Sequence, residues 1–146
     1  MKFLNFQSFS QLAELTSRQN GKTYAAVKEA LNVLLNKEGP ATVMIVTHNQ
    51  SMRQYLGQVT EELLRSVRST ANVCSISSTL DVIEFSSFSG RKKLVFGSFT
   101  QNPDQLFRGK TFEDVIFDIS PDIMFKDRIK FDEFFRCLAP IMAKNS

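Results

Sequence analysis

The apolar positions of this chain change period several times, and each change predicts an element. Between Tyr24 and Asn36, the residues Ala25, Val27, Ala30, Leu31, Leu34 and Leu35 are good helix formers. They predict a helix that is apolar on more than one side and therefore well buried. Glu38-Gly39-Pro40 ends it, because proline cannot continue the hydrogen-bond ladder. Ala41-Thr-Val-Met-Ile-Val-Thr47 follows as a continuous apolar run, the pattern of a strand covered on both faces. From Ser51 to Arg68, Met52, Tyr55, Leu56, Val59, Leu63, Leu64 and Val67 recur at helical spacing. Arg53, Gln54, Glu61, Glu62 and Arg65 occupy the other side, so this segment predicts an amphipathic helix.

The middle of the chain reads differently. Val73 to Ser77, Leu80 to Phe85 and Lys93 to Phe96 are short β-rich pieces separated by Ser-Ser and Ser-Gly pairs. A turn at Ser89-Gly90 is placed to close a hairpin between the second and third pieces. Asp114-Val-Ile-Phe-Asp118 predicts a buried strand that ends on a carboxylate. A last helix is expected from about Phe131 to Lys144, with Phe131, Phe134, Phe135, Leu138 and Met142 inward and Pro140 kinking or restarting it. Helices alternating with apolar strands predict an α/β fold. Its expected form is a mostly parallel sheet flanked by helices, with an antiparallel β addition in the middle of the chain.

Composition bounds this picture. The 146 residues, 42% apolar and 23% charged, suit one domain over residues 1–146, and no internal repeat divides them. Phenylalanine is used 14 times and tryptophan not at all, so an aromatic core built from one ring type is expected. No apolar run reaches the roughly 18 residues that cross a bilayer, and Met1 to Phe6 carries no secretory pattern. Cys74 and Cys137 are expected to be reduced, buried thiols of a cytoplasmic protein, in the host cytoplasm if the chain is viral. One histidine and no Cys-x-x-Cys argue against a structural zinc site. A net charge of +3 permits nucleic-acid contact without requiring it. The basic residues Arg65, Arg68, Arg91, Lys92, Lys93, Arg108 and Lys110 either form a phosphate-facing patch or are a solvated surface balanced by Glu61, Glu62, Glu113 and Asp114.

Two segments carry candidate chemistry. Thr16-Ser-Arg-Gln-Asn-Gly-Lys-Thr23 directly precedes the first helix. A phosphate-binding loop needs inward backbone N–H groups, a lysine for the β and γ phosphates and a hydroxyl for magnesium. Gly21, Lys22 and Thr23 supply its last three positions, and the helix N-terminus adds its dipole. Thr16 stands where the first glycine of such a loop is usual, and a plain Asn-Gly turn before a helix is the simpler alternative. The second segment is Val115-Ile-Phe-Asp118, whose terminal carboxylate is suited to hold magnesium if it faces the loop. An ordinary strand-ending aspartate is its alternative.

The ordered set of these segments resembles the phage terminase large subunits, the ATPases of DNA-packaging motors. Ser17-Arg-Gln-Asn-Gly-Lys-Thr23 is similar to their variant phosphate loop, in which an Arg-Gln pair is common and the early glycine is often missing. The likeness continues at Thr47-His-Asn-Gln-Ser-Met52, at Gly97 to Gly109 with its Arg108-Gly109 pair, and at the strand ending in Asp118. The resemblance implies a P-loop NTPase-like domain that binds ATP and Mg2+. Gln19, Asn20, Gly21, Lys22 and Thr23 would bind the triphosphate, with Thr23 and Asp118 as the metal residues. Arg18 would neutralise charge on the transferred phosphoryl group, and Asp118 and Arg18 would form the catalytic pair. His48, Asn49 and Ser51 would lie on a loop that faces nucleic acid in related motors, and Arg108 near the nucleotide. Homo-oligomerisation, DNA and other phage or host proteins follow as expected partners by the same analogy.

Several positions depart from the pattern. Ile119 stands where the family has the glutamate that orients water, and Asp122 lies four residues past Asp118. Phe9, Leu12 and Leu15 are at helical spacing, although a phosphate loop requires Leu12 to Leu15 to be a strand. By the resemblance, these 146 residues are expected to span the ATPase core, without the coupling strand or the nuclease domain. Three functions therefore compete: a weak or degenerate ATPase in DNA packaging or DNA metabolism, a non-catalytic phage regulatory protein that keeps the fold, and a small phosphotransferase.

Overall fold

The computed structural model describes residues 19–79, 81–107 and 110–145, and of residues 19–22, 121, 123, 124 and 139–145 it describes the backbone. Helix α1 (Gln19–Asn36) is followed by strand β1 (Ala41–Thr47), a 3-10 turn over Gln50–Met52, and helices α2 (Arg53–Ser66) and α3 (Arg68–Ala71). Strands β2 (Cys74–Ser78), β3 (Val82–Ser87) and β4 (Gly90–Ser98) come next, then helix α4 (Pro103–Phe107) and strand β5 (Asp114–Asp118). Helices α5 (Pro121–Lys126) and α6 (Arg128–Asn145) complete the described chain.

The five strands form one sheet in the order β2-β3-β4-β1-β5. β1 pairs in parallel with β4 and with β5, whereas β2–β3 and β3–β4 are antiparallel. The antiparallel middle is where the serine-punctuated segments predicted it. The expectation of a mostly parallel sheet is corrected to an even split of pairings, because the antiparallel unit is three strands deep.

β1 organises the molecule. All its residues except Thr42 are buried, as its unbroken apolar run predicts. Alternation sends Val43 and Ile45 to one face, where they pack with Ala26, Val27, Ala30 and Leu34 of α1 and Leu56 and Leu64 of α2. Met44 and Val46 go to the other face, into a cluster with Phe99, Phe107, Phe117, Phe134 and Leu138. The Phe134 ring lies 4.9 Å from Phe99, 5.8 Å from Phe107 and 6.2 Å from Phe117, so one α6 side chain ties α4, β5 and the β4 exit together.

Several element bounds move. α1 is already helical at Gln19, where the described residues begin, so Asn20-Gly21 is helical rather than a turn. The helix expected from Ser51 to Arg68 divides into a 3-10 turn, α2 and α3, and its Tyr55 is exposed. The piece from Lys93 to Phe96 is part of the longer β4, and Ser87 pairs with Gly90 across a two-residue loop, Phe88-Ser89. α6 runs to Asn145 through Pro140 without restarting. Cys74 is exposed and Cys137 half-buried, which corrects the expectation of two buried thiols, and both are free.

Candidate functional site

The C-terminal ends of the three parallel strands lie side by side. Thr47 of β1 is in register with Ser98 of β4 on one side and Asp118 of β5 on the other. All three are buried, so two hydroxyls and a carboxylate line one rim of the sheet. In open α/β sheets this rim is where ligands bind, because the chain must leave the sheet there and helix N-termini converge on it.

The N-terminal part of the described α1 meets that rim. Its buried Thr23 donates from Oγ1 to Asp118 Oδ2 at 2.8 Å, across 95 residues of sequence. The helix places Thr23 inward by periodicity, because Thr23, Ala26, Val27 and Ala30 share its buried face. β5 places Asp118 by ending where its five buried residues end. The two residues singled out as a metal pair are thus brought together by direct contact. Gly21 and Lys22 precede Thr23 in the same helical turn. The side chains of Gln19, Asn20 and Lys22 lie outside the described set, as do residues 1–18, with Arg18 and the segment Leu12 to Leu15, and Arg108.

The rim is held by short-range bonds. Thr47 Oγ1 donates to the Asn49 carbonyl at 2.8 Å, and Phe99 N–H donates to the Thr47 carbonyl at 2.8 Å. Ser98 N–H donates to Gln101 Oε1 at 2.7 Å, which folds the β4 exit loop back over the strand end. On the other exit loop, Asn49 caps the 3-10 turn: its Oδ1 accepts from the Ser51 N–H at 3.1 Å and from Ser51 Oγ at 2.5 Å. His48 is exposed beside it. Asn49 and Ser51 therefore have a structural role as a cap, on a loop one residue beyond the rim.

Ile119 follows Asp118 and is 3% exposed, packed into the phenylalanine cluster. Asp122 is exposed in the first turn of α5. Sequence reasoning missed Thr47 and Ser98 as rim residues. Thr47 was legible as the polar end of an apolar run, but Ser98 follows a Lys-rich stretch that hid the length of β4.

These features define an α/β domain with helices on both faces and a hydroxyl–carboxylate pair where a helix start meets the ends of parallel strands. A family model described as "Terminase large subunit, T4likevirus-type, N-terminal" matches residues 14–118, most of the chain. The chain belongs to this terminase large subunit N-terminal family, and membership supports a role in phage DNA packaging. Neither a curated protein nor a solved structure matches it. Among the described residues, no helix is long and apolar enough to cross a membrane.

Proposed function

We propose that this chain is a nucleotide-binding domain of the packaging terminase, taking ATP with Mg2+ at the start of α1. The observation that carries the reading is the 2.8 Å bond from Thr23 to Asp118, which joins the Gly-Lys-Thr turn to an acidic strand end. Both groups offer hard oxygen donors of the kind Mg2+ takes. Among the described residues there is no cluster of three or more His, Cys, Asp or Glu side chains suited to a metal. Mg2+ is usually held by one or two protein oxygens together with phosphate oxygens and water. Lys22 would neutralise the phosphates, with the helix dipole adding to it.

Hydrolysis is a separate matter. A water attacking the γ phosphate needs a group that orients it. The buried, apolar Ile119 offers none beside Asp118, and exposed Asp122 is one helix start away. We therefore infer nucleotide binding with slow turnover. The same observation favours the second reading, a regulatory protein that keeps the fold and acts by contact with packaging proteins.

Calorimetric titration with ATP, with and without magnesium, tests the proposal. The wild type should bind in a magnesium-dependent way, and Lys22→Ala and Asp118→Asn should each weaken binding by at least about tenfold, the size of one lost charge-assisted contact of ~1.5–3 kcal/mol. Absence of magnesium-dependent binding to the wild type would leave the regulatory reading standing alone.

A further inference from the structure

The β3–β4 hairpin carries an exposed aromatic ring on a fixed turn. Its two-residue loop is Phe88-Ser89, and Ser89 is held from several sides. The Gly39 N–H donates to the Ser89 carbonyl at 2.7 Å, Ser89 Oγ donates to the Leu35 carbonyl at 3.4 Å, and the Ser89 N–H donates to Ser87 Oγ at 3.3 Å. The turn is thereby fastened to the end of α1, yet Phe88 is 75% exposed. An apolar ring on a preorganised turn loses little conformational freedom when a partner covers it, which is what an interface anchor requires.

A receptor for such a ring lies beside it. A groove of about 640 Å3 between α1 and the end of α2 is lined by the apolar side chains of Leu31, Leu35, Leu63 and Val67. Phe88 does not line it. Leu35 belongs to both features, since it lines the groove while its carbonyl holds Ser89. Ring and groove therefore adjoin at the end of the molecule where β1 begins, away from the Thr23–Asp118 rim.

We propose that two copies of this chain pair about a two-fold axis, each inserting Phe88 into the α1–α2 groove of the other. Because ring and groove are neighbours on one surface, a single two-fold rotation fills both grooves and the assembly closes at two copies. Area sets the strength of the pair. With Phe88 exposed to 75%, two such rings and the groove walls that receive them bury about 450–750 Å2, taking about 150–250 Å2 for a whole aromatic side chain. That falls short of the roughly 1,200 Å2 where stable interfaces begin, so the pair is weak and forms at high protein concentration. The inference does not rest on the nucleotide reading above.

Sedimentation equilibrium of the full chain without nucleotide, from micromolar to near-millimolar protein, tests it. The wild type should pass from monomer to dimer across that range and go no further. Phe88→Ser should weaken pairing at least about tenfold, as expected for a central anchor. Asn32→Trp, at an exposed position that lines the groove, should fill it and weaken pairing by a similar factor. Both positions are exposed, so both variants should keep the wild-type thermal midpoint. Mixing the two variants should restore pairing of intermediate strength, because one keeps its groove and the other its ring. A monomer at every concentration overturns the proposal, as does a Phe88→Ser variant that pairs like the wild type. Species larger than a dimer overturn the two-fold arrangement. Full pairing in Asn32→Trp, or two weakened variants that fail to rescue each other, overturns the groove as the receptor.

Discussion

Single buried polar groups decide much of this structure, and Lys92 is the clearest. Its side chain is fully buried, and Nζ donates to the carbonyls of Lys37 at 2.5 Å and Gly39 at 2.6 Å. It thereby ties β4 to the loop that leaves α1, and neutralises the negative end of that helix. Burial pushes the Lys92 ammonium below the ordinary lysine value, with Glu113 drawing it up and Lys37 pushing it further down. A base lowered in this way binds fewer protons folded than unfolded once the pH passes its native value. Stability from this group therefore rises with pH from there to the ordinary lysine range. Lys92→Met should remove that alkaline rise and, by leaving two carbonyls unpaired, cost about 1–3 kcal/mol in urea unfolding at neutral pH. An unchanged midpoint would show that the ammonium contributes nothing net. Among the basic residues of the sequence, this one was unreadable as structural, because a lysine between Arg91 and Lys93 has the pattern of a solvated turn.

At the scale of elements, legibility followed length and continuity. β5 was readable to the residue because five buried positions are bounded by two aspartates and nothing interrupts them. β1 was readable for the same reason. α4 and α5 were not, since five and six residues are too short for a helical period to show, and each starts at a proline that reads as a loop. The start of α1 was misplaced because Asn-Gly is the strongest turn dipeptide, and here the helix overrides it. The β3–β4 hairpin was legible in place and not in cause. Gly90 has φ +130, and a Cβ there would sit 2.9 Å from the Gly39 carbonyl carbon. The Gly39 N–H also donates to the Ser89 carbonyl at 2.7 Å, so the hairpin tip is seated on the α1–β1 loop. Gly90→Ala should cost at least about 1–3 kcal/mol from backbone strain alone, read as a fall in thermal midpoint. Gly57→Ala, in α2 with open space around it, should be neutral or stabilising by comparison.

Over the whole molecule, charge and order are unevenly spread. Part of the suspected basic patch is paired locally: Arg91 and Lys93 share the one carboxylate of Glu84, Arg65 pairs with Glu61, and Lys92 is internal. The solvated-surface reading of those residues therefore fits better than a phosphate-facing patch. Among the described strands, β1 is hydrogen-bonded on both sides, whereas β2 lies at the sheet edge, is exposed throughout and carries a register shift between Cys74 and Ser77. Hydrogen exchange should find the amides of Val43 to Val46 slowest and those of Ile76 to Ser78 fastest among the strands. Comparable protection in the two would mean that β2 is covered in solution. The Thr23–Asp118 bond has a consequence in time as well as in space. Its partners are 95 residues apart, so the rim is complete only after β5 has added at the sheet edge beside β1. Loop closure over that span is slow relative to the helices and the hairpin, which close locally. During synthesis, Thr23 emerges early and waits for Asp118 until nearly the whole described chain has followed. Any binding that depends on the pair is therefore acquired late, only once β5 has joined the sheet.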